Sequence, residues 1–307
     1  MSGVLVGVDG GGTKTDVVVT DLTGRELAGT TTSGTNHENV GVQAVADTLQ
    51  AAITGLLDDV GVPPAEVAMS VFGLAGADWD SDERTLTAAL GQIGLGGVIR
   101  VVNDSAIALR AGCSAPWGIV SSVGTGTVTA GVNRSGERFR TMAIGWGEPS
   151  GSGSMVTAVL HAVAAEYHGT GPATLLTPLL LDDFGVPSVP ALFEALTRGG
   201  AAIGAGHAPL LDRAVEAGDT VAAGVLARVA QRHADMVAGV ACRLGMQHDE
   251  FELVMSGGVH RSSGRFGEEF GPAVLRHCPN AVLVPLLVPP VRGAVQLALD
   301  ALGEVRP

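Results

Sequence analysis

Lysine is almost absent from this 307-residue chain: Lys14 is the only one, and every other basic residue is an arginine. Charged residues make up only 16% of the sequence, yet the net charge at pH 7 is −13. Such an excess of acid repels the phosphates of nucleic acids and of anionic membranes. We therefore expect neither as a partner. A site for an anionic ligand must be built locally, from backbone N–H groups and a metal ion.

Cysteine is scarce as well, and Cys113, Cys242 and Cys278 are widely separated, with no CxxC pair. An odd number of scattered cysteines argues against a disulfide framework and indicates reduced thiols. No run reaches the ~18 apolar residues that a membrane helix needs. The first ten residues also lack the basic start and long apolar stretch of a secretory signal. These features lead us to expect a soluble, cytoplasmic protein.

The chain is nevertheless 46% hydrophobic, enough for a large core in one large or two modest domains. Short β-branched runs bounded by turn residues predict strands. They lie at Val4–Val8, Asp16–Asp21, Glu26–Thr31, Val67–Phe72, Val98–Val102, Gly118–Val123, Val128–Val132, Glu137–Met142, Phe251–Met255 and Ala281–Val284. Helical patterns follow Asn36, span 81–93, dominate 154–245 and return at 264–276 and 290–302. The pattern predicts an α/β protein.

Two segments of the sequence resemble each other, VGVDGGGTKTDVVVTDLTGREL and VSSVGTGTVTAGVNRSGERF. Gly10 and Gly124 are 114 positions apart, and Gly24 and Gly136 are 112 apart. This similarity predicts an internal duplication, with a chance likeness of two glycine-turn hairpins as the alternative. We expect an N-terminal lobe at 1–112 and a C-terminal lobe at 113–307, with a final helix at 290–303 that packs back on the first lobe.

The glycine turn after Asp9 can be compared with three phosphate-binding designs. Dinucleotide-binding and P-loop motifs both require a helix after the glycines, whereas Thr13 is followed by a β-branched strand. This strand disfavours a Rossmann oxidoreductase. What remains is a hairpin whose turn offers consecutive N–H groups to an anion, with a purely structural hairpin as the alternative. Two such turns, one beside a carboxylate, favour phosphate binding.

Six motifs occur in an order that resembles a known family. They are Asp9-Gly-Gly-Gly-Thr-Lys-Thr, Asn36-His37, Asn103-Asp104, Gly124-Thr-Gly-Thr, Gly145-Trp-Gly and Ser256-Gly-Gly-Val. Together they resemble the N-acetylglucosamine kinase branch of the actin/hexokinase/Hsp70-like ATPases, which is grouped with the BadF/BadG ATPases. The resemblance covers most of the chain and is more specific for the fold than for the substrate.

The resemblance implies a two-lobed, duplicated ribonuclease-H-like (actin-like ATPase) fold with the active site in the cleft between the lobes. It implies ATP and Mg²⁺ as cofactors, with Asp9 organising the metal through water. The residues implied in nucleotide and phosphate binding are Gly11, Gly12, Thr13, Lys14, Gly124, Thr125, Gly126, Thr127, Gly257 and Gly258. Gly257 and Gly258 would let the adenosine lie against bare backbone.

The same resemblance assigns the sugar side of the site. Asp104 would be the general base that accepts the proton of the sugar hydroxyl, although the sequence also allows it to cap the next helix. Asn36 would bind sugar hydroxyls or cap a helix, and Trp146 would line the sugar pocket or pack a loop. The implied substrate contacts are Asn36, Asn103, Asp104, Thr125, Gly145, Trp146, Glu148 and Ser152.

The chain departs from the family pattern after Gly145-Trp-Gly. An expected aspartate is missing there: Glu148 is the nearest carboxylate, and Ser152 falls near the expected place. Val128 also stands where the family often has asparagine. Loss of polar contacts to a sugar changes substrate choice more than ATP chemistry. The sequence therefore predicts a sugar kinase more firmly than an N-acetylglucosamine kinase.

We expect transfer of the γ-phosphate of ATP to a hexose hydroxyl, with the 6-OH of N-acetylglucosamine or glucosamine as the first choice. A kinase for another modified sugar or polyol and a non-catalytic ATP- and sugar-binding regulator are the alternatives, and the presence of Asp104 argues against the regulator. An activating ATPase with an iron–sulfur cluster would need suitably placed cysteines, which are absent. We expect a small-molecule sugar as partner and a homodimer.

Overall fold

The computed structural model describes residues 3–124, 126–142, 149 and 151–304. The chain divides into two compact units. Unit 1 comprises Met1–Val120, Ala130–Gly136 and Leu286–Pro307, and unit 2 comprises Ser121–Thr129 and Glu137–Pro285. None of the described helices is long and apolar enough to cross a membrane.

The first sheet has five strands and lies in unit 1. The strands are β1 (Val4–Gly10), β2 (Lys14–Asp21), β3 (Glu26–Ser33), β4 (Val67–Leu74) and β5 (Val98–Asn103). Their order is β3-β2-β1-β4-β5, with β1, β2 and β3 antiparallel and β1, β4 and β5 parallel. Gly10 pairs with Leu74, and Leu74 pairs with Asn103. The carboxyl ends of three parallel strands therefore meet at one edge of the sheet.

Four helices accompany this sheet: α1 (His37–Val40), α2 (Val42–Val60), α3 (Asp80–Leu90) and α4 (Asp104–Gly112). The helical pattern after Asn36 is divided at Gly41, whose φ of 85° an L side chain rarely adopts. The apolar positions of α2 repeat every four residues, and Leu49, Ile53 and Leu57 are fully buried. They form one core with the β1–β4 side chains on that face of the sheet.

A second five-stranded sheet repeats the first. Its strands are β6 (Gly118–Val123), β7 (Thr127–Val132), β8 (Arg138–Arg140), β9 (Phe251–Ser256) and β10 (Ala281–Pro285), in the order β10-β9-β6-β7-β8. Counted from the first strand of each sheet, both orders read 3-2-1-4-5. The predicted internal duplication and the α/β fold class are therefore confirmed, and each predicted strand is present.

The long segment between β8 and β9 is helical, as predicted. The helices of unit 2 are α5 (Ser152–Tyr167), α6 (Leu176–Phe184), α7 (Val189–Thr197), α8 (Pro209–Glu216), α9 (Thr220–Arg243), α10 (Gly258–Ser262) and α11 (Gly264–His277). The longest of them, α9, packs against α5, α8 and α11. Its buried stripe includes Val229, His233 and Val237, at four-residue spacing.

The last helix, α12 (Val291–Glu304), packs against β1, β4 and α4 of unit 1. Gly293 makes this approach possible, because a Cβ there would lie 1.8 Å from the carbonyl oxygen of Ile107. Arg110 forms a two-pronged ion pair with Asp300, at 2.6 and 3.2 Å. Val291, Ala294 and Val295 complete a second core on this face of the first sheet.

Candidate active site

Two carboxylates lie at the carboxyl-terminal edge of the first sheet. Asp9 is the second-last residue of β1, and Asp104 directly follows β5. Burial, together with the negative charges of Asp104 and Asp16, raises the pKa of Asp9 to about 7, while Lys14 acts in the opposite direction. A partly buried carboxylate that repels a neighbouring one is the arrangement that a bound cation relieves. The environment of Asp9 is therefore compatible with a Mg²⁺ ion, and its role in binding the metal stays a prediction.

Asp104 does not cap the helix that follows β5, although the sequence allowed this role. It is the first residue of α4, and the N-cap is Asn103, whose Oδ1 accepts hydrogen bonds from the Ser105 N–H at 3.0 Å and the Ser105 Oγ at 2.5 Å. The Asp104 carboxylate stands at the helix N-terminus, where its negative charge is stabilised. Its placement leaves it suited to act as a base.

Asn103 itself holds two segments together. Its Nδ2 donates to Asp78 Oδ1 at 2.9 Å and more weakly to the Ala77 carbonyl at 3.4 Å. The buried amide is thus engaged on both sides within unit 1. This geometry favours a positioning role for Asn103 over the predicted direct contact with a sugar, which stays a prediction.

The first glycine turn is a hairpin that the neighbouring loop supports. The Gly11 N–H donates to the Lys14 carbonyl at 2.9 Å, and the Thr35 N–H donates to the Gly11 carbonyl at 3.0 Å. Gly10 is required by packing, because a Cβ there would lie 2.3 Å from Thr35 Oγ1. At Gly12 the nearest described atom to a Cβ is 3.8 Å away, and φ is not positive. Neither packing nor conformation therefore explains Gly12.

Lys14 and Thr13 complete this turn, and both are exposed. The Lys14 ammonium lies 2.7 Å from Asp16 Oδ2, and the same carboxylate accepts a hydrogen bond from Thr31. The only lysine is thus paired along its own strand. Its predicted contact with phosphate stays a prediction that would require it to leave Asp16.

Asn36 lies beside the same edge and caps α1. Its Oδ1 accepts a hydrogen bond from the Glu38 N–H at 2.9 Å. A Cβ on Gly76 would lie 2.6 Å from that oxygen, so Asn36 contacts the loop after β4. No hydrogen bond to Asn36 Nδ2 occurs within the described part of the chain, which leaves this donor for a ligand hydroxyl.

The loop after β4 was not singled out from the sequence, although it follows a buried strand at the same edge. Asp82 Oδ2 accepts hydrogen bonds from the backbone N–H groups of Asp78 and Trp79, at 3.1 and 2.9 Å. Gly76, with a φ of 82°, completes the loop. The signal that could have found it is the stretch Gly-Leu-Ala-Gly-Ala-Asp that starts near the end of the strand.

In unit 2, the second glycine turn lies against the N-terminus of α5. The Gly124 N–H donates to the Gly126 carbonyl at 2.9 Å, and the Ser152 N–H donates to the Gly124 carbonyl at 2.8 Å. Gly151, with a φ of 61°, allows this approach, because a Cβ there would lie 2.3 Å from the Gly126 carbonyl oxygen. The N-terminus of a 16-residue helix therefore supports the turn.

The Ser-Gly-Gly motif meets the same turn. A Cβ on Gly124 would lie 4.0 Å from the Gly258 nitrogen, and a Cβ on Gly257 would overlap the Val123 carbonyl at 2.3 Å. At Gly126 and Gly258, both exposed, no described atom lies within 4 Å of a Cβ. Four of the predicted glycines thus come together, and two present backbone that the described protein does not cover.

Two other predicted residues of unit 2, Thr127 and Ser152, differ in whether their hydroxyl groups have hydrogen-bond partners. Thr127 Oγ1 donates to the Ser122 carbonyl at 3.1 Å and contacts His233 Nδ1 at 3.4 Å, so its hydroxyl is engaged within unit 2. Ser152 is buried, and its Oγ has no hydrogen-bond partner among the described residues. Its hydroxyl remains suited to a ligand.

Four predicted residues, Thr125, Gly145, Trp146 and Glu148, lie outside the described residues. Among the residues that are described, no group of three or more His, Cys, Asp or Glu side chains could hold a metal ion. A cation at Asp9 would therefore take its other ligands from water and from the nucleotide, as Mg²⁺ commonly does.

The duplicated α/β architecture, with a carboxylate pair in one unit and a glycine turn in each, is the predicted actin-like ATPase fold. The chain belongs to the BadF/BadG/BcrA/BcrD ATPase family, whose model matches residues 6–298.

Three known proteins are similar to the chain over nearly its whole length. An N-acetyl-D-glucosamine kinase of Dictyostelium discoideum is 27% identical, over 97% of this chain and 98% of its own. An N-acetylmuramic acid/N-acetylglucosamine kinase of Clostridium acetobutylicum is also 27% identical, over 96% and 97%. The crystal structure of an N-acetylglucosamine kinase candidate from Chromobacterium violaceum matches with a TM-score of 0.71 at 21% identity, over 96% and 98%. The last similarity supports the fold alone.

Proposed function

We propose that this protein is an ATP-dependent sugar kinase that phosphorylates a hexose hydroxyl, with the 6-OH of N-acetylglucosamine or glucosamine as the first choice. The observation that carries the proposal is Asp104, a carboxylate at the end of β5 that no capping role requires, beside Asp9 in a chain of an ATPase family. Both curated relatives are named for N-acetylated amino sugars, which supports this substrate class.

In the proposed mechanism, Asp104 accepts the proton of the sugar hydroxyl as its oxygen attacks the γ-phosphorus and the bond to ADP breaks. Asp9 would hold Mg²⁺ through water, and the ion would supply positive charge to the phosphoryl group. Asn36 Nδ2 orients the sugar. The protein contributes mainly by holding the reacting groups in line.

The glycines are proposed to bind the nucleotide through bare backbone. The turn at Gly11, Gly12 and Thr13 would bind the β- and γ-phosphates, and the second turn would bind the phosphates through the N–H groups of Gly126 and Thr127. Gly257 and Gly258 would face the adenosine. This assignment explains why glycine stands at Gly12, Gly126 and Gly258, where neither neighbours nor a positive φ demand it.

The sugar preference is proposed to depend on the segment that departs from the family. Ser152 offers a buried hydroxyl without a described partner where an aspartate was expected. A hydroxyl can donate as well as accept, so it would suit a different pattern of sugar oxygens. A kinase for another modified sugar or a polyol is the second candidate that this observation favours.

We also propose lobes at 1–112 and 113–307, a homodimer and a cytoplasmic location.

A panel of sugars tests the proposal. Purified protein with ATP and Mg²⁺ is expected to release ADP with N-acetylglucosamine or glucosamine, and to lose this activity when EDTA removes Mg²⁺. N-acetylmuramic acid, glucose and glycerol define the limits of specificity. ADP is measured by a coupled assay, and the phosphorylated position by NMR. Absence of sugar-dependent ADP release across the panel would contradict the proposed activity.

Alanine at Gly12 or at Gly258 is expected to raise KM for ATP about tenfold or more, because the new methyl group occupies space reserved for the nucleotide; tenfold corresponds to about 1.4 kcal/mol. The melting temperature should stay close to that of the wild type, since no described atom lies within 3.8 Å of either Cβ. Steady-state kinetics and thermal unfolding measure the two effects.

Gly55→Ala is the matched control for the glycine variants. Gly55 lies within α2, and a Cβ there also meets no described atom within 4 Å. Alanine should stabilise the helix by up to ~1 kcal/mol and leave KM for ATP unchanged. Equal KM values for all three variants and the wild type would argue against nucleotide binding at these turns.

A further inference from the structure

Two histidines lie behind the second glycine turn. His233 is in the middle of α9 and only 1% exposed, and His260 belongs to α10. Both rings pack edge-on against Phe266, with centroids 5.6 and 5.3 Å away. The proposed mechanism uses neither ring, and no motif in the sequence singled them out.

Each ring contacts one of the two strands that flank the turn. His260 Nε2 lies 3.2 Å from Ser121 Oγ in β6, and His233 Nδ1 lies 3.4 Å from Thr127 Oγ1, at the start of β7. Thr127 Oγ1 also donates to the Ser122 carbonyl at 3.1 Å, which links the two strands across the turn. The imidazoles thus support the base of the turn from the side of α9 and α10.

The hydrogen bonds assign the proton of His233. Burial lowers the pKa of His233 to about 4, with a contribution from Arg232; burial and the nearby His233 lower that of His260 to about 3. Both rings are therefore neutral near pH 7. Thr127 has one hydroxyl proton, which goes to the Ser122 carbonyl, so His233 must donate to Thr127 through Nδ1–H. Its Nε2 is then an unprotonated acceptor.

This tautomer leaves a buried nitrogen unsatisfied. His233 Nε2 has no hydrogen-bond partner among the residues described, and an orphaned buried polar atom destabilises a protein. An apolar side chain could fill the same space against Phe266 without that penalty. A buried group without a partner calls for an explanation. The hydrogen bond from His233 Nδ1–H to Thr127 Oγ1 is the interaction that an apolar side chain could not make.

We propose that His233 is a positioning residue for the nucleotide. It holds Thr127, and through Thr127 the turn Gly124–Thr127, in the shape that receives phosphate, while His260 supports β6 from the same side. The role of the turn in phosphate binding rests on the proposed function. The effect of His233 on the shape of the turn in the unliganded protein does not depend on that function.

Three variants test this role. His233→Leu removes the donor, and His233→Asn places an amide N–H close to the position of Nδ1. Val237→Ala is the control: it creates a cavity one turn further along α9, at a side chain that is also fully buried. His233→Leu is expected to raise KM for ATP about three- to tenfold, the effect of one lost hydrogen bond, with little change in kcat. His233→Asn should restore most of this loss. Val237→Ala should lower the melting temperature without changing KM.

Hydrogen exchange of the unliganded protein gives a readout that needs no turnover. The amides of Gly124, Gly126 and Thr127 should exchange about three- to tenfold faster in His233→Leu than in the wild type and His233→Asn. Unchanged exchange at the turn in His233→Leu, or equal acceleration in Val237→Ala, would overturn the proposal. A wild type inactive with every sugar would contradict the proposed function, and the exchange rates would still decide the role of His233.

Discussion

Asp104→Asn is expected to lower kcat with the preferred sugar by about 10³-fold, within the range that general-base catalysis contributes. Asparagine keeps the size of the side chain and can still accept a hydrogen bond from the sugar hydroxyl, but it cannot take the proton. KM for ATP should change little, because the proposed phosphate contacts are made by the glycine turns and not by Asp104. Steady-state kinetics with ADP detection measures both parameters.

The fold of this variant should be intact, because Asn103 and not Asp104 caps α4. Asp80→Asn is the matched control: Asp80 is likewise the first residue of a helix, α3, and is exposed. Both substitutions remove one charge at a helix N-terminus and should lower stability by up to ~1 kcal/mol. Only Asp104→Asn should lose turnover. Full activity of Asp104→Asn would exclude Asp104 as the base.

Asp9→Asn is expected to abolish Mg²⁺-dependent activity and, without Mg²⁺, to make the protein more stable at pH 8. The pKa of Asp9 is about 7 in the folded protein against an ordinary value of 3.8. The folded state therefore binds the proton more tightly than the unfolded state. Between pH 4 and pH 7 the unfolding free energy falls as pH rises. A neutral asparagine removes this penalty, a gain of roughly 2 kcal/mol after allowance for partial solvation.

Urea unfolding at pH 5 and pH 8, with and without Mg²⁺, measures this prediction. The difference between Asp9→Asn and the wild type should be larger at pH 8 than at pH 5. Mg²⁺ should stabilise the wild type at pH 8 and have little effect on Asp9→Asn, because a ligand stabilises only a folded state that binds it. Asp47→Asn, an exposed position of α2, should show neither effect. A pH-independent difference would contradict the raised pKa.

Local patterns in the sequence were enough to predict the strands and the repeated architecture. A strand such as β1 is recognisable because valine recurs at Val4, Val6 and Val8, and helix α2 because its apolar residues recur at helical spacing. The repeat of the glycine turns after 114 positions predicted two similar sheets, and their identical strand order confirms it. These properties depend on neighbouring residues only.

The chemistry of the site depended on residues that are far apart in the chain. Asp9 and Asp104 are 95 positions apart, and parallel strands bring them to one edge, where burial and then the charge of Asp104 raise the pKa of Asp9. The sequence allowed Asp104 to cap α4, whereas in the fold Asn103 is the N-cap. Hydrogen-bond partners are chosen by the spatial neighbours that the folded chain supplies, and no local pattern records them.

Dependence on spatial neighbours also explains why the contacts of Lys14, Thr127 and His233 could not be predicted from the sequence. Motif position suggested phosphate contacts for Lys14 and Thr127, whereas the folded chain pairs Lys14 with Asp16 and turns the Thr127 hydroxyl towards His233, which is 106 positions further along. Composition, periodicity and spacing thus predicted the two sheets and their glycine turns, and the resemblance of six motifs predicted the family. Burial and long-range contacts decided which side chains stay available for chemistry, because desolvation and hydrogen bonding are properties of the packed protein.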